Sequence, residues 1–328
     1  MKRRNLLLVA LVWMPLLVSL RAQEAIPSQA GTSQSGTPRQ ETIESLMNRG
    51  TSFSHARAYA RAEGEYRRAV QEAERIGPES SEMILPLHAL AVTYANEHKN
   101  AEAEATFRRL LAVQEKTLGP DDPAVATTVL AVAFACEISG KQDEALGFFQ
   151  QALSIFEKTF GPDQVQVADA LTALAGFQAR QGQMDEARPL LERALPIQEK
   201  ALPPNNPMLA GTLYNLGRIY NESNEAAKAE PLLLRAVAGL GGYFGPESPS
   251  IAGALRELAR AYADQGKYAE AEPLYRRVLA LREKELGPDA PELAAILDDL
   301  SGVLLQIGRA VEAAEVKSRA EGIRARGL

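Results

Sequence analysis

Few side chains in this 328-residue chain are of a kind that does chemistry, and their spacing limits what they can do. The three histidines, His55, His88 and His98, stand in no metal-ligand spacing, and Glu97-His98 lacks the second histidine of a zinc-protease helix. Cys136 is the sole cysteine, so neither an internal disulfide nor a cysteine-based metal cluster can form. No base is placed to activate it, and it reads as an inert packing thiol. Asp298 and Asp299 are neighbours on a helix, project in different directions and do not make an acid/base pair. The glycines recur at a fixed interval instead of gathering into a phosphate-cradling loop. No catalytic, cofactor-binding or metal-binding residue is therefore expected, and the chain reads as a non-enzyme. What remains is a set of arginines, Arg218, Arg256 and Arg260, whose forked guanidinium groups can hold a carboxylate through two hydrogen bonds.

The elements that would position those arginines are set by a repeat. Gly77-Pro78, Gly119-Pro120, Gly161-Pro162, Gly245-Pro246 and Gly287-Pro288 share one 42-residue register, and Pro203-Pro204 fills the missing beat. A period of this size marks one helical hairpin copied and stacked. Aligned on the proline, Leu87, Val129, Leu171, Leu213, Leu255 and Leu297 share a column, followed by Leu90, Val132, Leu174, Leu216, Leu258 and Leu300. Next come the small residues Ala91, Ala133, Ala175, Gly217, Ala259 and Ser301, where a partner helix can approach closely. The first helix of each copy stops at a column of Gly140, Gly182, Gly266 and Gly308, with His98 and Asn224 in the other two copies, a choice that predicts a left-handed cap. A second helix follows, carrying Ala103, Ala145, Ala187, Ala229, Ala271 and Ala313 at its contact column. Gly-Pro stops it, and Pro123, Pro207, Pro249 or Pro291 opens the next hairpin. Cys136 falls in the column held elsewhere by Tyr94, Tyr220 and Tyr262. Gly239, Gly241 and Gly242 weaken one second helix, which is expected to be short, either as a frayed end without functional role or as a hinge in the array.

Gly266-Lys267-Tyr268-Ala269-Glu270-Ala271-Glu272-Pro273-Leu274-Tyr275-Arg276-Arg277 resembles the turn and second helix of a tetratricopeptide repeat (TPR). The 42-residue period, longer than the usual ~34, and the recurring terminal Glu-Lys are similar to the kinesin-light-chain-like subgroup. The resemblance implies an all-α, right-handed α-solenoid of about seven stacked antiparallel hairpins over residues 41–328. Their expected bounds are about 43–77, 78–119, 120–161, 162–203, 204–245, 246–287 and 288–328. The last helix, from Glu312 to Arg326, is charged as a solvent-facing cap should be.

In this family the concave face is lined by first-helix residues beside the packing columns. Here that implies Val92, Ala95, Leu130 and Phe134 towards the N-terminus, and Tyr214, Asn215, Arg218, Asn221, Arg256, Arg260, Asp264 and Asp298 towards the C-terminus. The three arginines should converge on one patch able to grip an acidic or C-terminal carboxylate. The alternative is that they pair with Asp264, Asp298 and Glu257 in a solvated network. The asparagine pair with which such repeats hold a peptide backbone is reduced here to Asn215.

The N-terminus has a different composition. A basic stub from Met1 to Asn5, an apolar run from Leu6 to Leu20 and Arg21-Ala22 have the layout of a secretory signal peptide over residues 1–22. An uncleaved membrane anchor is the other reading. Residues 23–40 are rich in Gln, Ser, Gly, Thr and Pro and are expected to be a disordered tether. Loss of residues 1–22 leaves 32 basic against 42 acidic residues, a net charge of −10 that disfavours nucleic acid and anionic lipid. The expected protein is an exported, periplasmic or secreted scaffold without a membrane span in its mature form, binding a protein or peptide partner in its groove. The alternative is a self-associating, homo-oligomeric component of a cell-envelope assembly.

Overall fold

A computed structural model describes residues 42–326. The expected signal peptide (1–22) and tether (23–40) lie outside the described residues. Among those residues the chain forms fourteen helices, taken in hairpin pairs: α1 (Ile43–His55) with α2 (Tyr59–Ile76), α3 (Ile84–Asn96) with α4 (Asn100–Leu118), and α5 (Pro123–Ile138) with α6 (Gln142–Phe160). They continue with α7 (Val165–Arg180) and α8 (Met184–Ala201), α9 (Pro207–Glu222) and α10 (Ala226–Phe244), α11 (Ala252–Asp264) and α12 (Tyr268–Leu286), and α13 (Leu293–Gln306) and α14 (Ala310–Arg326). The chain divides into two compact units, 42–177 and 178–326 within the described residues, with the division falling inside α7. Each unit is a row of stacked helical hairpins in which a helix packs on its hairpin mate and on the hairpin that follows. No helix among the described residues is long and apolar enough to cross a membrane.

The columns read from the sequence are the core. Every residue of the two large apolar columns is buried, as are all six alanines of the second-helix column. The small column explains itself at Gly217, where an added Cβ would lie 2.6 Å from Leu233 Cγ on the partner helix. In the last hairpin Ser301 occupies that position and donates a hydrogen bond to the Ala313 carbonyl, 2.9 Å away, so its hydroxyl is satisfied at the crossing.

The helix stops are left-handed, as the sequence predicts. His98 and Asn224 have φ of 59° and 58°, and the four glycines of the column lie between 74° and 82°. Each stop closes in the same way, the following amide reaching back to a first-helix carbonyl: Lys99 to Tyr94 at 2.9 Å, Glu225 to Tyr220 at 2.8 Å and Lys267 to Tyr262 at 2.9 Å. The first hairpin uses Arg57 for the same turn, with φ of 55°, which the sequence pattern does not reveal. Pro123 and Pro207 are the first residues of α5 and α9, behind Asp122 and Asn206 side chains that cap the helix. Pro249 instead opens a short 3-10 turn ahead of α11, and Pro291 precedes the start of α13.

One expectation fails. The glycine-bearing helix α10 is not shortened; its 19 residues equal those of α4, α6 and α12. The reason lies in the Pro203-Pro204 beat. Proline cannot adopt the positive φ that Gly119, Gly161, Gly245 and Gly287 take, so this linker follows its own path. A Cβ on Gly239 would sit 3.0 Å from the Pro204 carbonyl oxygen and 3.2 Å from Ala210 Cβ, and one on Gly242 would sit 3.4 Å from Asn205 Cβ. In the other full copies the Gly239 column holds Val113, Ile155, Ile197, Leu281 and Ile323. Glycine at 239 therefore leaves room for a linker that passes closer to α10 than an ordinary Cβ contact allows. Replacing Gly239 with the leucine of the neighbouring copy should destabilise the chain by roughly 1–3 kcal/mol through overpacking. Gly241→Ala, whose Cβ meets nothing within 4 Å, should stabilise it by about 0.5–1 kcal/mol. Urea midpoints of the two variants provide the comparison, and equal responses would show that the linker does not press on Gly239.

Candidate functional site

The C-terminal part of the groove stands on α9 and α11, first helices of successive hairpins that touch directly, with α13 following them. Tyr214 lies across α11, its hydroxyl 3.5 Å from the point where a Cβ on Gly253 would stand, an ordinary packing distance. Burial pushes its phenol above the ordinary value. Asn215 is half-buried beside it. Arg218, one turn further on, is also half-buried, and its Nε is closed off from solvent without a hydrogen-bond partner.

The other two arginines are engaged within the chain. Arg256 directs Nε and Nη2 onto one oxygen of Asp299 in α13, at 2.9 and 2.6 Å. Arg260 donates to Glu222 of α9 at 2.7 Å and lies 3.7 Å from Asp264. Asn221 is 0% exposed, its amide group donating to the Glu257 backbone carbonyl at 2.9 Å and to the Glu257 carboxylate at 3.0 Å. It ties α9 to α11 and does not face the open groove. Asp298 turns the other way, to Lys317 at 2.8 Å and to Arg324, both on α14, and the Arg324 hydrogen bond foremost holds its carboxyl below the usual range. The expected pairing of the arginines with Asp298 is therefore taken over by Asp299, because adjacent helical residues diverge.

The charges of all three arginines do act on one carboxylate, among the partners that the alternative pairing names. Glu257 is acted on by the charges of Arg260, Arg218 and Arg256 and accepts from Asn221, yet burial outweighs them and raises its carboxyl above the ordinary range. Its column changes character along the chain: Ala89, Ala131 and Ala173 give way to Asn215, Glu257 and Asp299.

In unit 42–177 the equivalent surface is apolar. Val92, Ala95 and Leu130 are half-buried, whereas Phe134 belongs to the core, packed edge-on against Phe149 at 4.9 Å. Cys136 is buried and receives a hydrogen bond from Arg108 Nη2 at 3.2 Å, with its thiol pushed up by burial. His98 serves as the left-handed stop. His88 shares the sequence column of Tyr214 and Arg256, and its Nε2 is shut off from solvent without a partner.

Burial lowers the His88 imidazole to about 4 from its ordinary 6.5. The unfolded chain takes up a proton near pH 6.5 that the folded chain refuses until about pH 4. The stability contributed by neutral His88 is therefore complete above the higher value and lost as pH falls towards the lower one. Over that window this group should cost roughly 1–3 kcal/mol, and His88→Leu should flatten the corresponding part of the urea midpoint against pH. An unaltered slope would place the acid sensitivity elsewhere.

The family model for the tetratricopeptide repeat matches residues 82–158, 166–240 and 250–325. A search of curated proteins found no match. Among solved structures, the chain is similar to nearly identical TPR-like repeats of a Podosopora anserina kinesin light chain candidate, at 29% identity and TM-score 0.53, over 63% of this chain and 97% of that one. It is also similar to BtubC (BKLC) from P. vanneervenii, at 22% identity and TM-score 0.57, covering 70% of this chain and 89% of the other. The apo form of RapI matches at 14% identity and TM-score 0.63, covering 86% and 97%. The last two share the fold. With stacked helical hairpins, left-handed stops and small crossing residues recurring in one register, the chain belongs to the tetratricopeptide-repeat family.

Proposed function

We propose that this protein is an exported interaction scaffold that holds an extended peptide segment of a partner along the α9–α11 face of its groove. TPR proteins are protein-interaction scaffolds and are generally non-catalytic, which sets the class of function. The observation that carries the finer reading is Arg218. Arg256 and Arg260 are neutralised by Asp299, Glu222 and Asp264, whereas Arg218 keeps a buried Nε without a partner next to Tyr214 and Asn215. With a turn of the half-buried side chain that brings this donor to the groove surface, a ligand carboxylate or main-chain carbonyl gives it its missing acceptor, and the tyrosine ring supplies an apolar wall.

Titration with extended peptides ending in a free carboxylate, against the same peptides amidated, tests the groove. The free acids should bind more tightly, and Arg218→Ala should weaken them about 10-fold or more, the loss of one charge-assisted hydrogen bond. Arg256→Ala and Arg260→Ala should instead lower the thermal midpoint. Equal binding by the parent and Arg218→Ala would remove Arg218 from recognition.

The basic stub, apolar run and Ala22 support export. Amino-terminal sequencing of the protein recovered from the periplasm or medium should begin at Gln23. Recovery in the membrane fraction with Met1 retained would identify an anchor instead.

A further inference from the structure

At four of the six junctions between hairpins, a residue early in one second helix meets the residue immediately after the left-handed stop of the next hairpin, while the third junction has the uncharged Leu146 and Gln183 at these positions. Glu63 meets Lys99 at 2.5 Å, Glu104 meets Lys141 at 2.6 Å, Glu230 meets Lys267 at 2.6 Å and Glu272 meets Arg309 at 3.1 Å. In each the carboxylate belongs to the helix and the cation to the turn. At one junction the polarity is reversed: Arg188 on α8 meets Glu225 in the turn after α9, at 2.8 Å. The reversal is supported on both sides. Arg188 also donates to Ser223 at 2.6 Å and stands 5.2 Å from the centre of the Tyr220 ring, and Lys228 beside Glu225 covers the same ring at 5.5 Å. In two of the ordinary junctions the turn lysine covers the equivalent ring, Lys99 over Tyr94 at 5.9 Å and Lys267 over Tyr262 at 5.6 Å.

We propose that the reversed pair is a register key, favouring the stacking of the α9–α10 hairpin on α8 over its stacking on any glutamate-bearing second helix of its own chain or of a second copy. Were α9–α10 to follow α2, α4, α10 or α12, Glu225 would face a glutamate; Leu146 in α6 and Ala314 in α14 are neutral at that position, and the key does not act there. Were another hairpin to follow α8, Arg188 would face Lys99, Lys141, Lys267 or Arg309, and only Gln183 of the fourth hairpin is neutral. Like charges in a partly desolvated junction repel, which penalises the wrong pairing more than the correct one is rewarded. Arrays of nearly equivalent hairpins need such a device, because exchange and mis-stacking are their characteristic folding failures.

The test uses Arg188→Glu, Glu225→Lys and the double variant, each in the full chain. Either single change places like charges together and should lower the thermal midpoint. The double variant rebuilds the ordinary glutamate–lysine–tyrosine arrangement and should recover the parent midpoint. Having lost its key, it should give several-fold more dimer than the parent when refolded from urea at high concentration, read by size-exclusion chromatography with light scattering. A double variant as unstable as the singles would overturn the proposal, and so would one that refolds to monomer in the same yield as the parent.

Discussion

The left-handed residue that ends the first helix of each hairpin is the constraint on which the rest depends. It reverses the chain within a few residues, so the second helix can lie back on the first along the small column. It also holds the next residue by a main-chain bond to the helix it has just left, as Lys267 is held to the Tyr262 carbonyl at 2.9 Å. That residue is the one that forms the ion pair with the previous hairpin. One backbone conformation thus sets both the fold of a hairpin and its attachment to its neighbour. His98 and Asn224 show that the conformation matters and the absence of a side chain does not, since both adopt it with side chains that tolerate a positive φ.

Packing then fills what the turns define. Alanine, glycine or serine at the crossing column brings hairpin mates together, and the large apolar columns close over it. Departures from the pattern are compensated locally. The proline pair at 203–204 carries its linker against α10, and the bulky residue of that column becomes Gly239. A deficiency in helix propensity and an irregular linker are therefore one adaptation in which close approach outweighs propensity.

In the groove, the acidic residues supplied by the chain itself decide which basic groups remain to recognise a partner. Arg256 and Arg260 bridge adjacent first helices through Asp299 and Glu222 and rigidify the surface. Glu257 is buried below them, and burial outweighs the charges of the three guanidinium groups and raises its carboxyl above the ordinary range. Arg218 alone combines a position in the groove with an unmet donor, and the sequence does not separate it from the other two.

Hairpin order, helix stops, the core and the small crossing residues were legible in the amino-acid sequence, because each depends on local spacing repeated every 42 residues. Arg57 escaped because nothing in its residue type signals a positive φ. The true length of α10 escaped because the contact that favours Gly239 comes from a linker more than 30 residues away. Asp299 in place of Asp298, the burial of Asn221 and the reversed Arg188–Glu225 pair were likewise set by which faces of neighbouring hairpins meet. The sequence by itself determined that this is an array of helical hairpins and where each turns. Only the tertiary structure decided which charges cancel and which one is left over, because charge pairing depends on distances between helices that no single repeat contains.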